Sequence, residues 1–171
     1  MKLLRVGKSG HERVAALDTN NIIRDLSDKI EDLSSYTLDS QYLEKIQKID
    51  LSKQKEISSE TRIGPFINNP KNYFCVGKNF INHIKELNSS TPKNPMIFSK
   101  ANCISGPNDD IIIPKDSKKV DWECEIGVCL KDDVYQIKES ESEKYIGGYF
   151  LANDVSARDF QLEKSGQFII G

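Results

Sequence analysis

The stretch VDWECEIGVCL, residues 120–130, sets Glu123 and Glu125 two residues apart inside an apolar run. Side chains of an extended strand alternate between faces. Val120, Trp122, Cys124, Ile126, Val128 and Leu130 therefore share one face, and Asp121, Glu123, Glu125, Gly127 and Cys129 the other. Two carboxylates on one face stand roughly 7 Å apart along a strand. They repel unless water, a base or a cation lies between them. A solvated strand face is the plain reading and a metal site the sharper one; in both, the face carrying Trp122 and Ile126 is expected to pack a core.

Two further segments carry usable chemistry. GYFLANDVSARDFQ runs from an apolar strand to Asp154 at the strand end, where a carboxylate can project into a cleft. A helix is expected next, with Ser156 as N-cap and Asp159 three residues on in a capping-box spacing. Arg158 and Gln161, also three apart, would share a helical face. An ordinary capped helix bearing a surface ion pair accounts for the same residues. In GKNFINHIKEL, His83 and Glu86 are one helical turn apart, so the carboxylate can reach the imidazole. A histidine oriented in this way suits general-base work near neutral pH, and a solvated surface pair is the alternative. The only other histidine is His11. The three hard carboxylates Glu123, Glu125 and Asp154, with no soft ligand set, suit Mg²⁺, Mn²⁺ or Ca²⁺ better than zinc. From the residues alone, this leads to a metal-assisted hydrolase or lyase.

The elements that must position these groups fall into two parts. Residues 1–60 contain no Phe, Trp, Cys or Pro, whereas all seven Phe, all six Pro and the single Trp follow. KLLRVGKSGHERVAALD reads as two strands of a hairpin about Ser9-Gly10, and NIIRDLS as a third strand. SQYLEKIQKI places Tyr42, Leu43, Ile46 and Ile49 at helical spacing behind a Ser40 cap. We expect a small α+β N-terminal domain over 1–60, a linker over 61–72 with Gly64, Pro65 and Pro70, and a catalytic domain over 73–171. In that domain NYFCVG, MIFSK, DIIIP, the glutamate run, YQI and YIGGYFLAND read as strands, with helices in NFINHIKEL and SARDFQLEK. Strands outnumber helices, so the fold class is α+β and mainly β.

Composition narrows the function classes. With 171 residues, 37% hydrophobic, 29% charged and a formal charge of -2, the chain lacks the basic stripe of a nucleic-acid binder. No apolar run approaches the roughly 18 residues of a membrane span, and the N-terminus has too short an apolar stretch for a signal peptide. The four cysteines form no C-x-x-C pair, which argues against a zinc finger and for buried, reduced thiols in a cytoplasmic protein.

Taken in order, FCVGKNFINHIKE, PMIFSKANCISGPNDDIIIP, DWECEIGV, GYFLANDVSARDFQ and GQFIIG resemble the fumarylacetoacetate hydrolase family, over about residues 66–171. The opening LLRVG and IIRDLS are similar to the small N-terminal domain that many members carry. The resemblance implies a mixed β-sandwich roll with short helices. It implies a divalent cation, Mg²⁺ or Mn²⁺, held by Glu123, Glu125 and Asp154, and a His83–Glu86 dyad on a lid helix. It further implies that Arg158, Gln161 and Lys100 line the substrate.

The implied reaction is hydrolysis of a C–C bond in a 1,3-dicarbonyl or 2-oxo acid by a cytoplasmic homodimer whose only other partner is that small molecule. Ureidoglycolate lyases, 2-oxo acid decarboxylases and isomerases share the fold, and RDFQLEKSGQ is most similar to the subgroup labelled ureidoglycolate lyase or acting on diketo-deoxy sugar acids. Where the family continues GQW-x-x-GKS, this chain reads GQFIIG and stops at Gly171. The family lysine and closing strands are absent, so we expect a truncated enzyme with an incomplete core. A non-catalytic metal-binding remnant is the competing expectation.

Overall fold

The computed structural model describes residues 1–101 and 104–171, so the thiol of Cys103 lies outside the described residues. The chain divides into two compact units built from non-contiguous segments. Unit 1 comprises Met1–Pro70, Ile104–Ile111 and Cys124–Ala152; unit 2 comprises Lys71–Cys103, Ile112–Glu123 and Asn153–Gly171.

Unit 1 begins with a hairpin of β1 (Lys2–Val6) and β2 (Arg13–Leu17), Lys2 opposite Leu17 and Val6 opposite Arg13. Gly7 and Gly10 at its turn have φ of 127° and 77°, a region side chains rarely adopt. β3 (Ile23–Asp25) and the two-residue β4 (Glu56–Ile57), which sequence pattern did not suggest, complete an antiparallel sheet in the order β1-β2-β3-β4. The helix α1 spans Ser40–Gln47, but its cap is Asp39. The Asp39 carboxylate accepts the Tyr42 N–H at 2.7 Å, so Ser40 is the first helical residue and not the cap. Tyr42 and Ile46, four apart, pack with Val14, Ala16, Leu26, Ile30 and Leu33. A second cluster joins Val6, Ala15, Ile23 and Ile57. Residues 61–70 lie within this unit: Ile63 bridges to Val6 and Ile67 is buried.

The strands β8 (Cys124–Leu130) and β9 (Ile146–Asn153) pair as a separate two-stranded sheet. Phe150 of β9 packs on Phe66 with ring centroids 4.3 Å apart. It also covers Gly127, where a Cβ would come within 2.1 Å of the ring. The covered face is therefore the Glu125–Gly127–Cys129 face, the reverse of the expected one. Ile126 is 69% exposed, and Val128, Leu130, Tyr149 and Leu151 are exposed as well. The reversal has a physical cause: a two-stranded ribbon covered on one side turns its small residue, Gly127, toward the bulky Phe150. The thiols follow the same rule. Cys124, on the outer face, is exposed, while Cys75 and Cys129 are half-buried, so the expectation of buried thiols is corrected. DIIIP and YQI are irregular, with Ile112 90% exposed and Gln136 at φ 48°. Neither has a ladder partner among the described residues, and hydrophobicity alone does not make a strand.

In unit 2, β5 (Phe74–Gly77) and β6 (Met96–Ser99) are antiparallel, Phe74 opposite Ser99. The helix α2 (Ile81–Glu86) buries Ile84, and Asn88, at φ 47°, follows its C-cap. The glutamate run is not one strand. β7 covers only Val120–Asp121, and the ladder breaks at Trp122 and Glu123 before β8. β7 pairs with β10 (Ser156–Ala157), Ser156 opposite Asp121. Ser156 is thus a buried ladder residue and not the expected helix cap. The helical segment is a π-helix over Asp159–Ser165, ended by Gly166 in the left-handed region. Both units are strand-rich with few helices, an α+β, mainly β chain. Among the described residues no helix is long and apolar enough to cross a membrane.

Candidate functional site

Unit 2 gathers most of the residues singled out in the sequence. The short ladder of β7 and β10 sets the frame: pairing Ser156 with Asp121 holds Arg158 one residue beyond β10 and Glu123 two beyond β7. The Arg158 N–H donates to the Lys119 carbonyl at 2.8 Å, which fixes the start of the π-helix. Asp159 locks the same corner. Its carboxylate accepts from the Ser117 hydroxyl and the Lys118 N–H, both at 2.8 Å. The Lys118 N–H, then the Ser117 hydroxyl and the Phe160 N–H, hold the Asp159 carboxyl below the usual carboxylate range.

The Arg158 guanidinium is shared among three side chains. Nε and Nη2 donate to Asp121 Oδ2 at 3.2 and 3.1 Å, Nη1 donates to Gln161 Oε1 at 3.1 Å, and Nη2 also donates to Glu123 Oε1. Burial opposes the charge on Arg158, but the hydrogen bonds it donates to Glu123 and Asp121 outweigh it and raise its pKa. Arg158's hydrogen bonds, then the Trp122 N–H, depress the Asp121 carboxyl; His83 adds a smaller effect of the same sign. Gln161 is buried.

A second charge pair lies in the same unit. Lys100 Nζ meets Asp154 Oδ1 at 2.8 Å with both side chains 13% exposed, and it donates to the Gly171 carbonyl at 3.1 Å. Glu123 and Asp154 are tied through the backbone: the Asp154 N–H donates to the Glu123 carbonyl and the Glu123 N–H to Asn153 Oδ1, each at 3.0 Å. On α2, His83 Nδ1 and Glu86 Oε2 are 3.7 Å apart, an ion-pair distance longer than a hydrogen bond, with His83 half-buried and Glu86 exposed.

The structure therefore brings Arg158, Gln161 and Glu123 into one cluster and Lys100 and Asp154 into a second. His83 and Glu86 sit together on the exposed helix. Glu125 belongs to unit 1, half-buried on the covered face of β8. Hard carboxylate oxygens in charge-dense surroundings fit a hard divalent cation in chemistry. Among the described residues, however, no three His, Cys, Asp or Glu side chains are grouped to hold one. Arg158 and Lys100 supply the positive charge at Glu123 and Asp154. Asp121 is the residue that sequence reasoning missed; its spacing two residues before Glu123 on the same predicted face was the available signal.

Known proteins with related sequences and folds identify the family. Residues 72–170 match the profile described as fumarylacetoacetate (FAA) hydrolase C-terminal. A Burkholderia ambifaria protein named "Putative hydrolase" is 40% identical over 169 residues, covering 98% of this chain and 60% of the relative. The solved fumarylacetoacetate hydrolase from the psychrophile Exiguobacterium antarcticum is 27% identical with a TM-score of 0.77, over 99% of this chain and 60% of that one. A 2-hydroxyhepta-2,4-diene-1,7-dioate isomerase from Mycobacterium marinum, 24% identical over 100% of this chain and 61% of that one, shares the fold with a TM-score of 0.71. The chain belongs to the fumarylacetoacetate hydrolase family. It spans about 60% of the length of the relatives it matches.

Proposed function

We propose that the chain carries the centre of a divalent-metal-dependent hydrolase that cleaves a C–C bond in a 1,3-dicarbonyl or 2-oxo acid. The observation that carries the reading is the gathering, within unit 2, of Glu123 and Asp154 with the cations Arg158 and Lys100. The resemblance implies Mg²⁺ or Mn²⁺ at this centre, with Glu123 and Asp154 as the unit 2 carboxylates that would face it; when bound it would supply Lewis-acid polarisation of a carbonyl. The protein's own groups do the rest. His83, whose Nδ1 faces Glu86, keeps Nε2 to accept a proton from water. The resulting hydroxide forms a bond to one carbonyl carbon. The C–C bond then breaks, and its electron pair passes to the departing carbon as an enolate that takes up a proton. Arg158 and Lys100 are the cations for the developing negative charge, and buried Gln161 holds the guanidinium in place. The same reading has a cytoplasmic homodimer acting on a small oxo acid, with no nucleic-acid or membrane partner.

The test is product analysis with a simple 2,4-dioxo acid in the presence of Mg²⁺. Release of two acids, reduced about 100-fold or more in both Glu123→Gln and His83→Ala, is the expected outcome. Release of CO₂, or isomerisation without cleavage, would shift the chain to a decarboxylase or isomerase. Turnover that is indifferent to His83 would remove the dyad from the reaction.

A further inference from the structure

The helix that carries His83 and Glu86 has little of its own to hold it. α2 spans six residues and buries Ile84 alone, and its N-cap, Phe80, makes no side-chain capping bond. A helix this short is marginal by itself. It is fastened at its C-terminal end. Asn88, in the left-handed region, donates its N–H to the Lys85 carbonyl at 3.0 Å, and the Ser89 N–H donates to the Ile84 carbonyl at 3.1 Å. This is the Schellman closure, in which the residue at the place of Ser89 often adds an apolar contact to the last turn. Here the residue is a serine, and its hydroxyl has another use: Lys78 Nζ donates to Ser89 Oγ at 2.6 Å. Both residues are half-buried. Lys78 directly follows β5 at φ 53°, a backbone conformation that a lysine adopts at a cost. The bond therefore joins the end of β5 to the end of α2, eleven residues on. His83 lies inside the loop so closed, and its carbonyl accepts the Leu87 N–H at 3.1 Å in the turn that Ser89 terminates.

We propose that Lys78 is a positioning residue for the His83–Glu86 dyad: through Ser89 it clasps α2 to the end of β5 and so fixes where the imidazole is presented. The same bond brings an ammonium to the C-terminal end of α2, where a cation is favourable. The proposal rests on the dyad reading above, but its first test needs no turnover. Amide hydrogen exchange at Ile84, Leu87 and Ser89 is followed by nuclear magnetic resonance in the 171-residue chain, each variant first checked for a cooperative melt. Lys78→Met and Ser89→Ala should each speed exchange about fivefold, the loss of one hydrogen bond to a charged donor. The double variant should be no faster than either single one, because both remove the same bond. Lys78→Arg, which keeps a cationic donor, should stay within about twofold of the wild type. Lys93→Gln, which removes an exposed lysine of the same unit, should change nothing.

Acceleration by Lys93→Gln equal to that of Lys78→Met would make the effect unspecific charge, and additive single variants would mean two unrelated contacts; either overturns the clasp. Should Lys78→Met not fold, Ser89→Ala carries the test, and unchanged exchange there overturns the proposal as well. Turnover of the dioxo acid then separates positioning from loosening. Lys78→Met should lower kcat about fivefold at unchanged KM, and should cost nothing further in a His83→Ala background. A general loosening of the unit would lower turnover in that background too, and would sink the positioning role. Turnover that depends on His83 but not on Lys78 sinks this inference and leaves the dyad reading standing. No turnover, or turnover indifferent to His83, ends both.

Discussion

The two units bury different things. Unit 1 holds nearly all of the buried apolar residues, from Val6 and Val14 through Leu26, Leu33, Tyr42 and Ile46 to Ile67. Its buried charge is fully partnered: Arg5 meets Asp32 at 2.8 Å and Glu12 at 3.6 Å, and Glu12 also accepts from Arg62 at 2.7 Å. Among the described residues, the apolar residues buried in unit 2 are Ile84 and Ala157, while Ser156, Asp159 and Gln161 are buried beside them. Apolar burial is non-directional and supplies stability. Buried polar groups must be satisfied one by one, and so they fix positions. Unit 1 is built to persist and unit 2 to hold named atoms in named places.

This contrast can be broken most severely in unit 1. Leu26 is fully buried, and Leu26→Ala should cost about 3 kcal/mol of unfolding free energy by the loss of transfer energy and the cavity left behind, measured by urea melts followed by circular dichroism. Arg5→Met should cost about 3 kcal/mol as well, because it leaves the buried Glu12 and its neighbour Asp32 without that partner. A loss below 1 kcal/mol at both positions would mean that unit 1 is not where the stability resides. In unit 2, substitutions should move function more than stability: Gln161→Leu should disturb the Arg158 geometry and lower turnover in the dioxo-acid assay while the melt changes little.

Acid should expose the difference more gently. The Asp159 carboxyl lies below its ordinary value of 3.8, and Asp121 does too. A depressed folded value means that the stabilisation is present above the unfolded pKa and is lost as pH falls through the folded one. Below about pH 4 the melt should therefore fall with decreasing pH. Asp159→Asn should flatten that fall; an unchanged slope would show that the corner formed by Ser117, Lys118 and Asp159 does not matter to folding.

Sequence pattern was informative where local rules suffice. The hairpin about Ser9-Gly10 and the α1 stripe of Tyr42 and Ile46 follow from periodicity, and the cap was missed by one residue because Asp39 and Ser40 are both good caps. It failed where an environment decides. Alternation assigned the faces of residues 124–130 correctly as a pattern but not which face is covered, and it did not foresee the break at Trp122 and Glu123. The cover comes from Phe150 over Gly127, residues distant in sequence, and the outward Trp122 (70% exposed) follows from the ladder break before β8. Ser156 read as a cap because its spacing to Asp159 imitates one, whereas a two-residue ladder with Asp121 claims its backbone. Asp121 itself escaped notice because its role depends on Arg158, 37 residues away.

The claim at the centre of this account is that unit 2 carries a cation-dependent centre. The most direct measurement is a thermal melt with and without millimolar Mg²⁺, on the wild-type chain and on Glu123→Gln side by side. A cation at about 100 times its Kd stabilises the folded state by roughly 2.7 kcal/mol. The account predicts a melting temperature that rises with Mg²⁺ in the wild type and not in the variant. A rise of equal size in both, or in neither, would contradict it.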